Sequence, residues 1–219
     1  MRNKIWLLAL TGVGLVSALT GFEIGQRPAG NDSAAYVRRR PVVLLDQAKS
    51  YQHGGVLVIG DSISERSGIS TLCGLPVFNA GISSARTKDL ADLTPKLVAE
   101  IKPTLVFIAL GTNDANAARP TAIDEWQKQY EALVRSVGRV PVVLAAAPMI
   151  ERGKERSSQF DTRRIAAMNA RLPSIAARFG AVFVTAAPTS TMDGVHPDTA
   201  GAETWRGNLA RGCPTNITA

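Results

Sequence analysis

The sequence predicts a three-layer α/β/α sandwich around a parallel sheet, because short apolar segments alternate with segments of helical periodicity. The apolar segments carry hydrophobic residues at consecutive positions, as strands do when both of their faces are buried. Gly, Pro or Asn bounds each of these segments. Strands that alternate with helices in this way form parallel sheets that are covered by helices on both faces.

Five strands and four helices are predicted after the first 50 residues. The predicted strands are Val56–Ile59, Val77–Asn79, Thr104–Leu110, Val140–Ala146 and Ala181–Thr185. The predicted helices are Thr87–Ile101, Thr121–Val137, Phe160–Phe179 and Thr199–Arg211. Pro173 lies inside the third helix, where a proline removes one backbone hydrogen bond and predicts a kink or a break.

The N-terminus has the pattern of a targeting segment. Arg2 and Lys4 precede an uncharged, mostly apolar run over 5–22, which would span about 27 Å as a helix. We therefore predict that residues 1–24 are a signal peptide or an uncleaved membrane anchor. Either alternative exports the remaining chain to the periplasm or the medium. An uncleaved anchor would also associate it with the inner membrane.

The residues that follow this segment divide into a linker and a folded domain. Gly, Pro and small polar residues over 25–35 predict flexibility, so we expect residues 25–50 to be a linker or an N-terminal extension. Residues 51–214 are then expected to be the folded domain. Once the leader is removed, roughly 185 residues remain, which suits one domain with a full core.

The net charge of +7 restricts the classes of partner. Part of this charge lies in Arg38–Arg40 and part is spread over 152–178. A solvated surface explains such a pattern, and attraction to anionic lipid or acidic polysaccharide is the alternative. Nucleic acid is not expected as a partner, because aromatic residues are only 5% of the chain and no helix-turn-helix or zinc spacing is present.

Polar residues stand where the predicted parallel strands end. Gly60-Asp61-Ser62 follows the first strand, Asn79-Ala80-Gly81 ends the second, and Gly111-Thr112-Asn113-Asp114 follows the third. The turn Asp193–His196 comes a short loop after the fifth strand. Because ligands bind beyond the carboxyl ends of such strands, these four loops are expected to converge on one site.

The convergent residues include the parts of a nucleophilic serine site. Ser62 needs a base to take its proton, and the chain has only two histidines. His53 precedes the first strand and therefore points to the opposite edge of the sheet. His196 has Asp193 three residues upstream, which would hold its tautomer and stabilise the imidazolium. The sequence thus favours Ser62, His196 and Asp193 as a catalytic set.

A tetrahedral intermediate at Ser62 would also need hydrogen-bond donors for its oxyanion. The candidates are the backbone N–H groups of Ser62 and Gly81 and the side-chain amide of Asn113. Asp61 and Asp114 are expected to shape the loops rather than to act in catalysis. Each residue taken alone has a simpler structural explanation, such as a helix cap or a turn. Their convergence on one edge favours chemistry.

The four blocks resemble those of the SGNH hydrolases, also called the GDSL-type lipase/esterase superfamily. The resemblance covers about residues 54–210. It implies that Ser62 is the nucleophile, that His196 is the base with Asp193 as its partner, and that Gly81 and Asn113 join Ser62 in the oxyanion hole. It also implies a flavodoxin-like five-stranded parallel sheet of order 2-1-3-4-5. Neither a cofactor nor a metal is implied.

The implied fold also suggests a role for the two cysteines. The helix after Ser62 would end near Cys73, and the last helix would end near Cys213 at the same edge, opposite the active site. A Cys73–Cys213 disulfide is therefore expected in an exported chain. One departure from the name-giving motif is Ile63 in place of Leu, which conserves volume and should alter only packing.

The leading functional hypothesis is an exported serine esterase or acylhydrolase that forms an acyl-enzyme. Its substrates could be small-molecule, lipid or glycan esters, including short acyl esters, lysophospholipids, thioesters and O-acetylated sugars. The polar loop over 149–159 could line the acyl or leaving-group site. Two alternatives stay open at this level, which are an O-acyltransferase acting on envelope or exopolysaccharide sugars and a non-catalytic glycan-binding domain.

Overall fold

A computed structural model describes residues 29–215, and the predicted signal peptide or anchor lies outside them. One mixed sheet has the strand order β2-β3-β1-β4-β5-β6. Its strands are β1 (Val56–Gly60), β2 (Thr71–Leu72), β3 (Leu75–Gly81), β4 (Leu105–Ala109), β5 (Val142–Ala145) and β6 (Val182–Val184). All pairings are parallel except that of β2 with β3.

Helices cover both faces of this sheet. They are α1 (Ala29–Lys49), α2 (Ser62–Glu65), α3 (Thr94–Ile101), α4 (Ile123–Ser136), α5 (Thr162–Phe179) and α6 (Thr199–Ala210). In the described part of the chain, three short 3₁₀ helices lie in the connections, namely Thr87–Leu90, Asn113–Ala115 and Ser157–Gln159. Within residues 29–215, no helix is both long and apolar enough to span a bilayer.

Alternation along β1 shows how the three layers form. Leu57 and Ile59 belong to one core cluster, which includes residues of α1, α3, α4 and α5. Val56 and Val58 belong to a second cluster on the other face, which includes residues of α2 and α6. All four side chains are fully buried, because successive residues of a strand point to opposite faces and helices cover both.

The predicted fold class and strand order are confirmed. Without the added strand, the order β3-β1-β4-β5-β6 is the expected 2-1-3-4-5. The additional strand, β2, has only two residues, lies at the edge of the sheet and forms a hairpin with β3. Cys73 and Gly74 make its turn with positive φ angles of 54° and 74°, as two-residue hairpins require. A strand of two residues leaves too little periodicity to be predicted.

Most of the segment 25–50, expected to be a linker or an N-terminal extension, is the helix Ala29–Lys49. This helix, α1, packs against α3 and buries Leu44 and Ala48 in the main core cluster. Burial of its later turns stabilises the whole helix, although the first turns have a linker-like composition and Pro41 lies inside it.

Two of the predicted helices differ from the observed ones at a proline. The segment predicted as one helix over Thr87–Ile101 is divided into a 3₁₀ helix and α3. Pro95 lies in the first turn of α3, where its missing N–H group costs nothing, so the helix starts there rather than at residue 87. By contrast, α5 continues through Pro173, because Leu172 and Ile175 on either side are fully buried.

A disulfide joins Cys73 and Cys213, whose Cα atoms are 5.3 Å apart. The helix after Ser62 is shorter than expected and ends at Glu65, so Cys73 lies in the β2–β3 turn rather than at a helix end. Cys213 follows the end of α6. The bond therefore ties the edge hairpin to the C-terminal helix across 140 residues of chain.

Replacing both cysteines with serine should lower the free energy of unfolding by about 2–5 kcal/mol, because a long closed loop restricts the unfolded chain. Urea titration of the wild type and of the double variant measures this difference. Reductant should destabilise the wild type by a similar amount and leave the variant unchanged. Two free thiols in the denatured, non-reduced wild type would contradict the bond.

Candidate active site

Ser62 is held at the carboxyl end of β1 by the start of a helix. Asp61 is the N-cap of α2, and its Oδ1 accepts a hydrogen bond of 2.9 Å from the N–H of Ile63. Ser62 is the first residue of α2 and is only 7% exposed. The strand, the cap and the helix together fix the backbone that carries the hydroxyl.

His196 and Asp193 contact the Ser62 region from a turn that lies far from Ser62 in the sequence. Asp193 Oδ1 accepts hydrogen bonds from the N–H groups of Val195 at 3.0 Å and His196 at 2.8 Å. Its Oδ2 lies 2.7 Å from His196 Nδ1, and His196 Nε2 lies 3.0 Å from Ser62 Oγ. The three predicted residues therefore form one continuous hydrogen-bonded chain.

The pKa values of this pair suit a neutral base beside a charged carboxylate. Burial alone would raise the pKa of Asp193, but hydrogen bonds from His196 and Val195 outweigh it and lower the pKa to about 2. Burial lowers the pKa of His196, the Asp193 carboxylate opposes that shift, and the charges of Arg66 and Arg156 lower it further. The net pKa of His196 is below its ordinary 6.5. At neutral pH the imidazole can therefore accept the serine proton.

Gly81 ends β3 directly against the helix that carries Ser62. A Cβ atom at this position would lie 2.3 Å from the backbone nitrogen of Glu65. The glycine is therefore required by the packing of α2. Its N–H donates to Asn79 Oδ1 at 3.0 Å, and Asn79 Nδ2 donates to the carbonyl of Ser64 at 2.7 Å.

Asn113 begins the 3₁₀ helix after β4, at the same edge of the sheet. Its Nδ2 donates to the carbonyl oxygen of Ala85 at 3.0 Å. That bond fixes the side chain and uses one of its two amide hydrogens, which leaves the second for a ligand.

Asp61 and Asp114 hold loops, as the sequence suggested. Burial raises the pKa of Asp61 to about 7, against hydrogen bonds from Ile63 and Thr112 that lower it. Asp114 is buried and accepts hydrogen bonds from Thr87 and Thr121. Neither belongs to a metal-ligating cluster, since no group of three or more His, Cys, Asp and Glu side chains suited to a metal occurs within 29–215.

Comparison with known families identifies the class of protein. The model of the GDSL-like lipase/acylhydrolase family matches residues 58–204, a range that contains all four blocks. The chain belongs to the GDSL-like lipase/acylhydrolase family. It is thus a member of the SGNH hydrolases and a hydrolase that acts on ester bonds. No curated protein matches the chain.

Solved structures share the fold of this esterase at low sequence identity. A protein from Streptococcus pneumoniae has a TM-score of 0.72 at 22% identity, over 84% of this chain and 95% of that one. A carbohydrate acetylesterase from Sinorhizobium meliloti has 0.59 at 19%, over 73% and 96%. A catalytic mutant of an acetylxylan esterase from Geobacillus stearothermophilus has 0.60 at 20%, over 77% and 99%.

Two arginines beside the esterase site were not identified from the sequence. Arg66 follows Ser62 by four residues around the α2 turn, a spacing that brings side chains to one face. Arg156, in the loop over 149–159, has its Nη1 3.8 Å from Asp193 Oδ2. Both arginines line a cavity of about 610 Å³ beside the site. The four-residue spacing was the signal that could have revealed Arg66.

The N-terminal helix forms another wall of this cavity. Tyr36 of α1 lines it and donates a hydrogen bond to Glu65 Oε1. Arg40 Nε lies 3.4 Å from the same oxygen, and Glu65 Oε2 accepts from the N–H of Ser83 at 2.7 Å. Glu65 therefore fastens α1 and the segment after β3 to the helix of the nucleophile.

Gly81→Ala should lower kcat by about 100-fold, since the added methyl group must displace α2 and a shift of about 1 Å in a reacting group costs that much. Steady-state hydrolysis of p-nitrophenyl acetate measures the loss. Gly207→Ala is the matched control, because nothing lies within 4 Å of a Cβ there; its kcat should equal that of the wild type. Wild-type kcat in Gly81→Ala would contradict this account of the glycine.

The pH profile of kcat/KM should have an acid limb with a midpoint below 6.5, because protonation of His196 removes the base and its pKa is lowered. Arg156→Gln removes a positive charge near the ring, so the pKa of His196 should rise and the limb should move to higher pH. Arg163→Gln, an exposed arginine on α5, should leave the limb in place. An unmoved or downward-shifted limb in Arg156→Gln would refute the assignment.

Proposed function

We propose that this enzyme is an exported serine esterase that removes short acyl groups, such as acetyl, from carbohydrate esters. The observation that carries the catalytic part of the proposal is the hydrogen-bonded chain from Ser62 Oγ through His196 to Asp193. Ester hydrolysis follows from membership of the family. The role of each side chain and the choice of substrate are the proposal.

The reaction follows from the geometry of the three residues. As Ser62 Oγ attacks the ester carbonyl, His196 Nε2 takes the hydroxyl proton and Asp193 stabilises the imidazolium. The tetrahedral intermediate collapses to an acyl-enzyme, and His196 returns the proton to the departing alcohol. Water, deprotonated by His196, then attacks the acyl carbonyl and releases the carboxylic acid with regeneration of Ser62.

Two of the three expected oxyanion donors have a hydrogen ready for this role. The N–H of Ser62 is at the first position of α2, where a helix provides no partner. The second amide hydrogen of Asn113 is the other donor. The N–H of Gly81 already donates to Asn79 Oδ1, so it would serve the oxyanion only in exchange for that bond.

Two cavities beside the site support a small acyl group and a polar alcohol. The cavity lined by Ile63, Pro197 and Trp205, with Arg66 and Ser67 also on its wall, measures only about 10 Å³, which is room for one water-sized group. The cavity of about 610 Å³ is lined by side chains that all carry a polar group, among them Ser84 and Gln159. Two structural neighbours described as a carbohydrate acetylesterase and an acetylxylan esterase agree with this choice.

The disulfide supports the proposal that the enzyme is exported. Disulfides persist in the periplasm and outside the cell but are rare in the reducing cytosol. The Cys73–Cys213 bond and the apolar N-terminal run both fit an extracytoplasmic enzyme.

A fluorophosphonate probe should label Ser62, because an activated serine attacks its phosphorus as it would an ester carbonyl. Peptide mapping by mass spectrometry locates the label. Ser62→Ala should abolish labelling, and Asp193→Asn should retain a folded protein while kcat for p-nitrophenyl acetate falls by about 10⁴. Ser64→Ala is a control on the same helix and should still be labelled at Ser62. Labelling elsewhere, or equal hydrolysis by Ser62→Ala, would refute the assignment.

A further inference from the structure

Three arginines from separate segments line a second, smaller cavity near the esterase site. Arg38 comes from α1, Arg86 precedes the 3₁₀ helix Thr87–Leu90, and Arg119 lies in the loop before α4. The cavity measures about 170 Å³, enough for a carboxylate or a phosphate group with bound water. We call Arg38, Arg86 and Arg119 the arginine cluster.

The charge of the arginine cluster exceeds that of the carboxylates near it. Asp89 also lines the cavity, but its Oδ2 accepts the backbone N–H of Arg86. Burial raises the pKa of Asp114, and the positive charge of nearby Arg86 partly opposes that rise. Among residues 29–215, none of the three guanidinium groups is in an ion pair. Three cations thus face one cavity with a single carboxylate on its wall.

Several other basic residues differ from the arginine cluster in this respect. Along α5, Arg164, Arg171 and Arg178 pair with Asp161, Asp124 and Glu131. In the larger cavity, Arg66 and Arg156 share the lining with Asp32 and Glu155. The smaller cavity is therefore lined by an excess of positive charge, whereas the larger cavity has as many carboxylates as arginines on its wall.

The cavity of the arginine cluster adjoins the larger cavity beside the catalytic residues. Ser33 and Ser84 line both the 170 Å³ cavity and the 610 Å³ cavity, and the larger cavity reaches the two arginines whose charges act on His196. Arg86 also lies in the loop that follows Gly81 at the end of β3. A single extended substrate could therefore place an anionic group at the cluster and its ester at Ser62.

The lining of the connected cavities favours a sugar over a lipid. Every side chain that lines the larger cavity carries a hydroxyl, amide or charged group, and such groups can hydrogen-bond to the hydroxyls of a sugar. A guanidinium fork binds a carboxylate through two parallel hydrogen bonds.

Building on the proposed esterase function, we propose that the natural substrate is an O-acylated acidic oligosaccharide or polysaccharide. The arginine cluster binds the carboxylate of a sugar near the one that carries the ester. The alcohol released in the reaction is then an anionic glycan, and the acid is acetate or a similarly short carboxylate.

Selectivity for charge tests this proposal. The kcat/KM for acetate release would be measured on O-acetylated oligogalacturonate and on acetylated xylooligosaccharide, which is neutral. The wild type should favour the acidic substrate by tenfold or more at low salt, and this ratio should fall as ionic strength rises. Arg38→Gln, Arg86→Gln and Arg119→Gln should each reduce the ratio, and the triple variant should bring it close to one.

Arg39→Gln is the matched control, because it removes the same charge from the next position of α1 without touching the cavity; it should keep the wild-type ratio. Thermal unfolding checks that each variant is folded. An equal or neutral-favouring wild-type ratio, or a ratio unchanged in the triple variant, overturns the proposal. A larger arginine-dependent preference for a short-chain phosphatidic acid would replace the acidic sugar with a lipid phosphate.

Hydrolysis of p-nitrophenyl acetate separates this proposal from the one on which it rests. If Ser62-dependent hydrolysis is present without charge selectivity, only the acidic substrate is wrong. If the wild type shows no Ser62-dependent hydrolysis, the proposed esterase mechanism itself fails.

Discussion

Parallel pairing of β1 with both β3 and β4 is the constraint on which the site depends. In this register Gly60 lies opposite Gly81 on one side and Ala109 on the other, so the three strands end level at one edge of the sheet. The loops that carry Ser62 and Asn113 and the end of β3 at Gly81 must then be neighbours. The hydrogen bonds between the three strands therefore position these loops next to one another.

The His196 turn needs a second device, since β6 is separated from β1 by two strands. The loop after β5 provides it. The N–H of Glu151 donates to the carbonyl of Gly194 at 3.0 Å, and the N–H of Arg156 donates to the carbonyl of Asp193 at 2.9 Å. These backbone bonds hold the turn over the sheet edge, so the loop over 149–159 supports the base as well as lining the cleft.

The sequence revealed the fold class and the residues that the sheet brings together, because buried strands and their polar ends leave short, local patterns. Contacts between distant segments left no such pattern. The start of α1 has a linker composition, and its helix depends on burial of Leu44 and Ala48. The periodicity over residues 87–101 predicts one amphipathic helix, whereas in the structure a new helix begins there with Pro95 in its first turn. The arginine cluster draws on three segments whose approach only the fold determines.

Because Glu65 attaches α1 to the active-site helix, the folded enzyme includes residues that precede the segment matched by the family model. That segment begins at residue 58, yet Tyr36 and Arg40 reach the carboxylate three positions after the nucleophile. A shortened protein that began at residue 51 would expose Glu65, open one side of the cleft and remove Arg38. The helix α1 is therefore part of the folded enzyme and of the wall of its cleft.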